Sequence, residues 1–465
     1  MKKNVNKFIE TNRQDPAKIN LEERKSRFIE IYQPLANEQL KDQSERCLDC
    51  GNPYCQWKCP VHNYIPLWLK LANEGRIIDA AKLSHSTNAF PEICGRVCPQ
   101  DRLCEGSCTL ENGFGAVTIG NIEKYISDEA FKLGWKPDYP EKKSDKKVAI
   151  IGAGPAGLAC ADRLLQAGIN VVIYDRNSFI GGLLTFGIPA FKLEKEIIKN
   201  RYQLLLDAGA EFKLGIEIGK DIELTELVAS HAAVFIATGT YQSLSEPAIL
   251  NHGIFHTEAI DYLQQVNQDL IDNKEISLKG SIEGKKIVVL GGGDTTMDCI
   301  RTSIRLGASK VTGIYRRNEK SMPGSKREYQ NACEEGSEFI FNSQPVGLII
   351  RDEKLHAVKF VKTEQVTNSD GKTSLEHIAG SEFEIEADVV ITAFGFKPEQ
   401  YQWLTQHQVQ TDHHGRIRVQ KERLQTANPK IFAGGDIVRG ASLVVHAIAD
   451  GIAAAREIKE FIEGN

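Results

Sequence analysis

Twice in this chain a short apolar strand runs straight into a glycine-rich turn and then a helix, once at Gly152 and again at Gly291. Few folds accept such a unit, because the turn must bring backbone N–H groups to the first turn of a helix while strand and helix pack closely. The first unit reads VAII, then Gly152, Ala153, Gly154, Pro155, Ala156 and Gly157, then the helix-forming run LACADRLLQAG. Gly152 suits a tight turn, Gly154 lets a pyrophosphate approach the backbone, and Gly157 lets the helix lie against the strand. The free N–H groups and positive end of the helix favour phosphate. Asp175, followed by Arg176, ends the next strand and is placed to bind a ribose hydroxyl pair. A lone glycine pattern is weak evidence; strand, helix and acid in register make it a dinucleotide site.

A second glycine loop follows Asp175 and includes Gly182, Leu183 and Gly187. Thr238 and Gly239 end a later strand, and near the C-terminus the string IFAGGD places Gly435 and Asp436 before a helix expected over roughly 443–459. That aspartate suits a flavin ribityl chain. The combination resembles the two-dinucleotide flavoprotein reductases of the glutathione and thioredoxin reductase class, which implies FAD at the first site.

The second unit reads KIVVL, then Gly291, Gly292, Gly293, Asp294 and Thr295, with Thr296 where Gly or Ala is usual. Its next strand runs into Arg316 and Arg317, not into an acid. An acid there would repel a 2′-phosphate, whereas a guanidinium pairs with it bidentately, so the pattern points to NADPH over NADH. Because flavin motifs lie on both sides of the second unit, that unit is expected as an insertion. Strand–helix alternation implies parallel sheets covered by helices. The expected fold is α/β, with two Rossmann-like dinucleotide-binding domains preceded by a mainly helical iron–sulfur domain. The expected ranges are 1–143 for the iron–sulfur domain, 144–280 plus 396–465 for the FAD domain, and 281–395 for the NADPH domain.

Of 11 cysteines, eight lie between Cys47 and Cys108. They form two sets: Cys47, Cys50, Cys55 and Cys59, then Cys94, Cys98, Cys104 and Cys108. Disulfide frameworks belong to small secreted chains, and the start MKKNVNKFIETNRQ has no apolar signal core. Structural zinc favours paired C-x2-C units. Cys59-Pro60 and Cys98-Pro99 instead follow ferredoxin-like runs, and eight thiolates suffice for two 4Fe–4S clusters. In such runs the cysteine before proline serves the other cluster, so Cys59 can cross to the second set. That leaves the first set short of a ligand and one of Cys94–Cys108 surplus, with Glu123 available as an oxygen ligand. Cys160, Cys299 and Cys333 have no C-x-x-C partner, which argues against a disulfide reductase.

Elsewhere, Phe28, Ile31, Tyr32 and Leu35 have helical spacing, and Ile119, Ile122, Tyr125, Ile126 and Ala130 mark one face of a helix within 115–135. The hydrophobic fraction is 41%, the charged fraction 26% and the net charge −5, which fits a globular protein with no global affinity for nucleic acid. No stretch is long and apolar enough for a membrane span, so a cytoplasmic location is expected.

The strings CGNPYCQWKCPVHNYIP, CGRVCPQDRLCEGSCTL, GAVTIGNIEKYI, IGGLLTFGIPAFKLEKE, YRRNEKSMPGSKREYQNACEEG and IFAGGDIVRG resemble those of the small (beta) subunits of bacterial NADPH-dependent glutamate synthases. The N-terminal half of dihydropyrimidine dehydrogenase and the large subunit of NADH-dependent ferredoxin–NADP reductase share the architecture. In dihydropyrimidine dehydrogenase a glutamine at the place of Glu123 is a cluster ligand and the cysteine at the place of Cys94 is not. The resemblance implies an electron-input subunit: NADPH reduces FAD, and electrons pass through the 4Fe–4S clusters to FMN of a separate large (alpha) subunit. That subunit makes L-glutamate from L-glutamine and 2-oxoglutarate, so a hetero-oligomer is expected. No side chain of this chain is given a catalytic role, because the cofactors carry the hydride. The chain lacks the N-terminal cysteine nucleophile of such glutaminases, since residue 2 is Lys, and has no length for an FMN barrel. The alternatives are a ferredoxin-coupled NADPH oxidoreductase, free-standing or bifurcating, and a zinc-stabilised FAD scaffold without electron transfer.

Overall fold

The computed structural model describes residues 4–141, 143–244, 256–367 and 373–464. Two parallel five-stranded sheets form its centre. The first runs Ile431–Ala433, Ala233–Ile236, Lys147–Ile151, Asn170–Asp175, Glu211–Leu214. All four pairings are parallel, so a strand near the C-terminus completes a sheet begun at residue 147. The inner strands are apolar along most of their length because helices cover both faces, whereas the edge strand Glu211–Leu214 alternates charged and apolar residues. The helix Pro155–Gln166 packs on the C-terminal helix Val444–Glu463, which runs past its expected end.

The second sheet runs His256–Glu258, Val389–Thr392, Lys286–Leu290, Lys310–Ile314, Glu338–Ile340, again all parallel. A four-stranded antiparallel sheet spanning Ser343–Glu386 extends from it, built around the long strand Lys354–Thr367. In chain order the second sheet lies between two strands of the first, and its pairing begins before residue 281. His256–Glu258 hydrogen-bonds Val390–Thr392, and Tyr262, Leu263 and Val266 pack into the core of the second sheet. Residues 256–280 thus join the second unit, not the first. The strand HTE has no apolar run to announce it. Gln242–Ser243 pairs with Phe396–Lys397 where the chain leaves and re-enters the first unit, and residues 245–255 lie outside the described ones.

The N-terminal part is a cluster of short helices from Asn37–Glu45 to Ile119–Lys132. Its core is formed by Trp68, Leu69, Ile119, Ile122, Ile126 and neighbours. Ile119–Lys132 is the helix expected from periodicity, with Ile119, Ile122, Ile126 and Ala130 buried and Tyr125 at the edge. Residues 27–36 are not helical: the helix ends at Ser26, and Lys18 bridges Tyr32 in antiparallel fashion. Ile31 and Leu35 are buried from an extended chain. Among the described residues no helix is long and apolar enough to cross a membrane.

Candidate functional site

The first glycine turn folds as its residues require. Gly152 has φ +108°, and a Cβ on Gly157 would lie 1.9 Å from the Gly152 carbonyl oxygen, so side chains are barred at both positions. The turn opens into a cavity of about 570 Å³, within the range of small-molecule sites. From the first unit its walls include Gly152, Gly154, Pro155, Ala156, Asp175, Arg176, Gly182, Leu183, Gly187, Thr238, Gly239, Gly435 and Asp436. Ala153 and Gly157 lie behind this wall, where they shape the turn. Motifs separated by nearly 300 residues of chain thus meet in one space.

Asp175 does double duty. Its carboxylate accepts the Ala153 N–H at 2.7 Å and two N–H groups of Asn177 at 2.8 and 2.9 Å, which ties the glycine turn to the strand end. Burial nonetheless pushes its pKa upward. Arg176 pairs with Glu399 at 2.8 Å and lies over the Tyr241 ring. Burial raises Asp436 to about 7, against the Ser442 N–H and with repulsion from Asp450.

Asp294 and Thr295 line the same cavity. Asp294 accepts the Ser325 N–H at 2.9 Å and lies 3.4 Å from Arg102 of the cysteine-rich region. Arg102 also donates to the Pro323 carbonyl. Gly291, Gly292, Gly293, Arg316 and Arg317 stand outside the cavity wall. Arg316 is exposed, and the half-buried Arg317 has an Nε that is buried without a partner. A buried guanidinium N–H with no acceptor is costly, and a bound phosphate oxygen would satisfy it.

Among the described residues none of the eight cysteines is in a disulfide, and they gather in two places that cross the sequence order. Cys47, Cys50, Cys55 and Cys108 surround one small space with Leu48, Tyr54 and Leu69. The thiol of Cys104 is close enough to feel Cys59 and Glu123, and Cys98 feels Glu123 and Cys104. Cys59, Cys94, Cys98, Cys104 and Glu123 therefore gather in a second place, where Cys94 hydrogen-bonds with Cys98. Among the described residues no three His, Cys, Asp or Glu side chains close on a point small enough for one metal ion. Burial drives the Cys55 and Cys59 thiols up to about 12, and Cys98 and Cys104 well above the ordinary range, Cys98 chiefly through its hydrogen bond with Cys94. Thiols so placed become thiolates only when a cationic centre compensates them, which fits an iron–sulfur cluster in each group.

Glu123 sits one turn into its helix, buried, and is raised to about 8 by burial. Its Oε1 accepts from Asn63 Nδ2 and Asn88 Nδ2, both at 3.1 Å. Cys94 donates to Oδ1 of the same Asn88 at 3.7 Å. The helix Pro91–Val97 reaches this place by a close crossing: a Cβ on Gly95 would lie 2.6 Å from Lys124 N and 2.7 Å from Gly120 O. Asn63, Asn88, Gly95 and Arg102 were not singled out in the sequence, since nothing in their spacing relates them to Glu123 or Asp294. Val97, Cys98 and Pro99 close one side of the large cavity, so the second cysteine group borders the dinucleotide space.

Residues 24–135 match the family model described as dihydropyrimidine dehydrogenase domain II, 4Fe-4S cluster, and residues 146–451 match pyridine nucleotide-disulphide oxidoreductase. The glutamate synthase (NADPH) small chain of Escherichia coli (strain K12) is 55% identical over the whole of both chains. The chain belongs to the glutamate synthase (NADPH) small-chain family. It is an oxidoreductase with an N-terminal iron–sulfur domain. The small chain of Azospirillum brasilense is 46% identical across 98% of this chain and 95% of its own. Among solved structures, Mycobacterium tuberculosis FprA in complex with NADPH superposes with a TM-score of 0.55 at 17% identity, covering 69% of this chain and 85% of that one. Thioredoxin reductase of T. acidophilum gives 0.50 at 22% identity, covering 68% and 99%. These two share the fold of the dinucleotide-binding part.

Proposed function

We propose that this chain is the electron-input subunit of a glutamate synthase, taking NADPH at its second glycine loop and delivering electrons to FMN of a large subunit that forms L-glutamate from L-glutamine and 2-oxoglutarate. One observation carries the reading: a single cavity is walled by the first glycine loop, by Asp294 and Thr295 of the second, and by Val97–Pro99 beside the second cysteine group. When bound, FAD accepts a hydride from NADPH and releases electrons singly to 4Fe–4S clusters.

In this reading the turn from Gly152 to Gly157, with Ala153 between, cradles the FAD pyrophosphate on the helix starting at Pro155. Asp175 and Arg176 face its ribose end, and Gly182, Leu183, Gly187, Thr238, Gly239, Gly435 and Asp436 hold the remainder. Gly291–Thr295 receive the NADPH pyrophosphate, and Arg316 with Arg317 its 2′-phosphate. Cys47, Cys50, Cys55 and Cys108 hold one cluster; Cys59, Cys98, Cys104 and Glu123 hold the other, with Cys94 beside them. The division we favour is 1–143 for the clusters, 256–395 for NADPH, and the rest for FAD.

The exit in this reading is the first cysteine group, none of whose members lines the large cavity. Leu48, Tyr54, Trp57, Tyr64 and Leu67 are large apolar side chains exposed in the segment that carries Cys47, Cys50 and Cys55. Exposed apolar surface concentrated in this way marks a partner site, and here it rims the first cysteine group. The large subunit docks there, making a cytoplasmic hetero-oligomer.

The test is anaerobic reconstitution with the large subunit. Cys98→Ala or Cys104→Ala leaves NADPH bleaching of the flavin intact and abolishes glutamate formation. A variant that lacks the second cluster yet makes glutamate at the wild-type rate overturns the reading.

A further inference from the structure

We propose that the buried Lys192–Asp298 ion pair sets the charge where the two dinucleotide spaces meet, and thereby the affinity of the flavin for an electron pair. The proposal rests on the electron-input reading.

Lys192 follows the flavin-side loop that ends at Gly187 and Ile188. Asp298 lies on the helix of the second glycine loop, one turn beyond Asp294. Their Nζ and Oδ1 atoms are 2.9 Å apart, and both side chains face the shared cavity. The pair therefore joins the two units at the wall of the shared cavity.

Stability does not account for it. A nearly buried ion pair loses about as much in desolvation as it gains by attraction, and apolar replacements are often neutral or stabilising. Two neighbouring cations are occupied elsewhere. Lys195 donates to the carbonyls of Leu184 and Ile188. Arg301 is bound by Glu328 and Glu335. Lys192 lines the cavity near Arg327 and Glu328, with Asp298 as its hydrogen-bonded acceptor.

The chemistry gives such a pair a task. A hydride carries one proton and two electrons from dihydronicotinamide to oxidised flavin. The nicotinamide leaves as a pyridinium with one positive charge more, and the flavin gains one negative charge. Within a low-dielectric cavity a fixed charge acts with little screening. The ammonium favours the reduced flavin, and the carboxylate moderates the ammonium. The two residues therefore act with opposite signs, which a purely structural contact would not do.

The flavin midpoint potential is measured by spectroelectrochemistry in the intact holoprotein, alongside flavin content and NADP⁺ binding. Lys192→Met is expected to lower the equilibrium constant for flavin reduction at least tenfold, about 30 mV for a two-electron couple. Asp298→Asn is expected to raise it, and Lys192→Arg to stay within threefold of wild type. NADP⁺ affinity should change less than the potential. Shifts of the same sign in Lys192→Met and Asp298→Asn, or no shift in either with flavin retained, overturn the proposal. If Lys192→Met loses its flavin, Asp298→Asn decides alone: an unshifted or lowered potential refutes the idea. Failure of NADPH to reduce the wild-type flavin would instead overturn the electron-input reading.

Discussion

The close crossing at Gly95 offers a way to damage one cysteine group while sparing the other. In Gly95→Ala the new methyl would stand 2.6 Å from Lys124 N and 2.7 Å from Gly120 O. Both obstacles are backbone, so no rotamer change relieves the clash. The helices Pro91–Val97 and Ile119–Lys132 must part by roughly 0.8 Å to reach ordinary contact, and overpacking of this kind costs about 1–3 kcal/mol. At 1.4 kcal/mol per decade that is a bias of roughly 5- to 140-fold against the tight crossing. The first helix leads into Cys98 and the second carries Glu123, so the strain falls on the second group. Cys47, Cys50 and Cys55 belong to neither helix. Anaerobically purified Gly95→Ala should retain the spectrum of one cluster, lose most of the other, and contain close to half the wild-type iron. Gly280→Ala, where a methyl meets nothing within 4 Å, is the control. A Gly95→Ala protein with full iron and an unchanged electron paramagnetic resonance spectrum would refute the assignment of Cys98 and Glu123 to one group.

The remaining expectations concern cofactor choice, docking and pH. Replacing Arg316 and Arg317 by Ala removes charge-assisted bonds worth about 1.5–3 kcal/mol each, so NADPH affinity should drop at least ~10-fold while NADH changes little; flavin bleaching titrations decide, and equal losses for both would contradict the phosphate role. Trp57→Ser with Tyr54→Ser should weaken assembly with the large subunit in sedimentation experiments, and assembly at wild-type affinity would place the docking face elsewhere. His85 is buried and held neutral, its pKa driven well below normal by burial and by Arg201. Its folded pKa lies below the unfolded one, so the unfolded chain binds the extra proton. Stability is complete above pH ~6.5 and falls by up to about 1.4 kcal/mol per unit below it. His85→Gln should flatten that limb of the acid-unfolding profile, and an unchanged slope would show that other groups govern it.

How far the molecule was legible depended on whether a local pattern carried the information. Gly152–Gly157, Gly291–Gly293 and IFAGGD announce themselves because each turn is specified within a few consecutive residues. The join between Ile431–Ala433 and Ala233–Ile236 was readable only because both ends carry flavin-type motifs. The strand His256–Glu258 escaped because its three residues are polar enough to pass for a loop, and tertiary pairing alone makes it a strand. Phe28, Ile31, Tyr32 and Leu35 misled for the opposite reason: their spacing fits a helix, yet Ile31 and Leu35 are buried from an extended segment held across the second unit. The crossed cysteine grouping was open as a possibility at Cys59. Asn63 and Asn88, which hold Glu123, come from separate turns, and no periodicity links them to it.

Buried charge runs through the contacts between units, beside the apolar packing of Phe90, Ile93 and Leu103 against the flavin unit. Arg201 of the flavin unit gives Nε and Nη2 to Glu92 of the cysteine-bearing helix, at 2.9 and 2.7 Å. Glu335 of the second unit receives Arg301, Arg305 and, from the N-terminal segment, Arg24. The ring of Phe191, from the flavin unit, lies against the guanidinium groups of Arg301 and Arg305 with centroid distances of 4.4 and 4.0 Å. Such clusters add little to stability compared with apolar contacts of the same size, but breaking one by removing a partner costs about 3–5 kcal/mol. An apolar interface tolerates sliding; these contacts do not, because a displaced unit would leave a guanidinium or carboxylate buried alone. The penalty therefore falls on wrong arrangements more than it rewards the right one. For a chain whose task is to bring two dinucleotides and a cysteine group to one cavity, that is the property required: the wall formed by Val97–Pro99, Gly152–Ala156 and Asp294–Thr295 exists only while all three units keep their register.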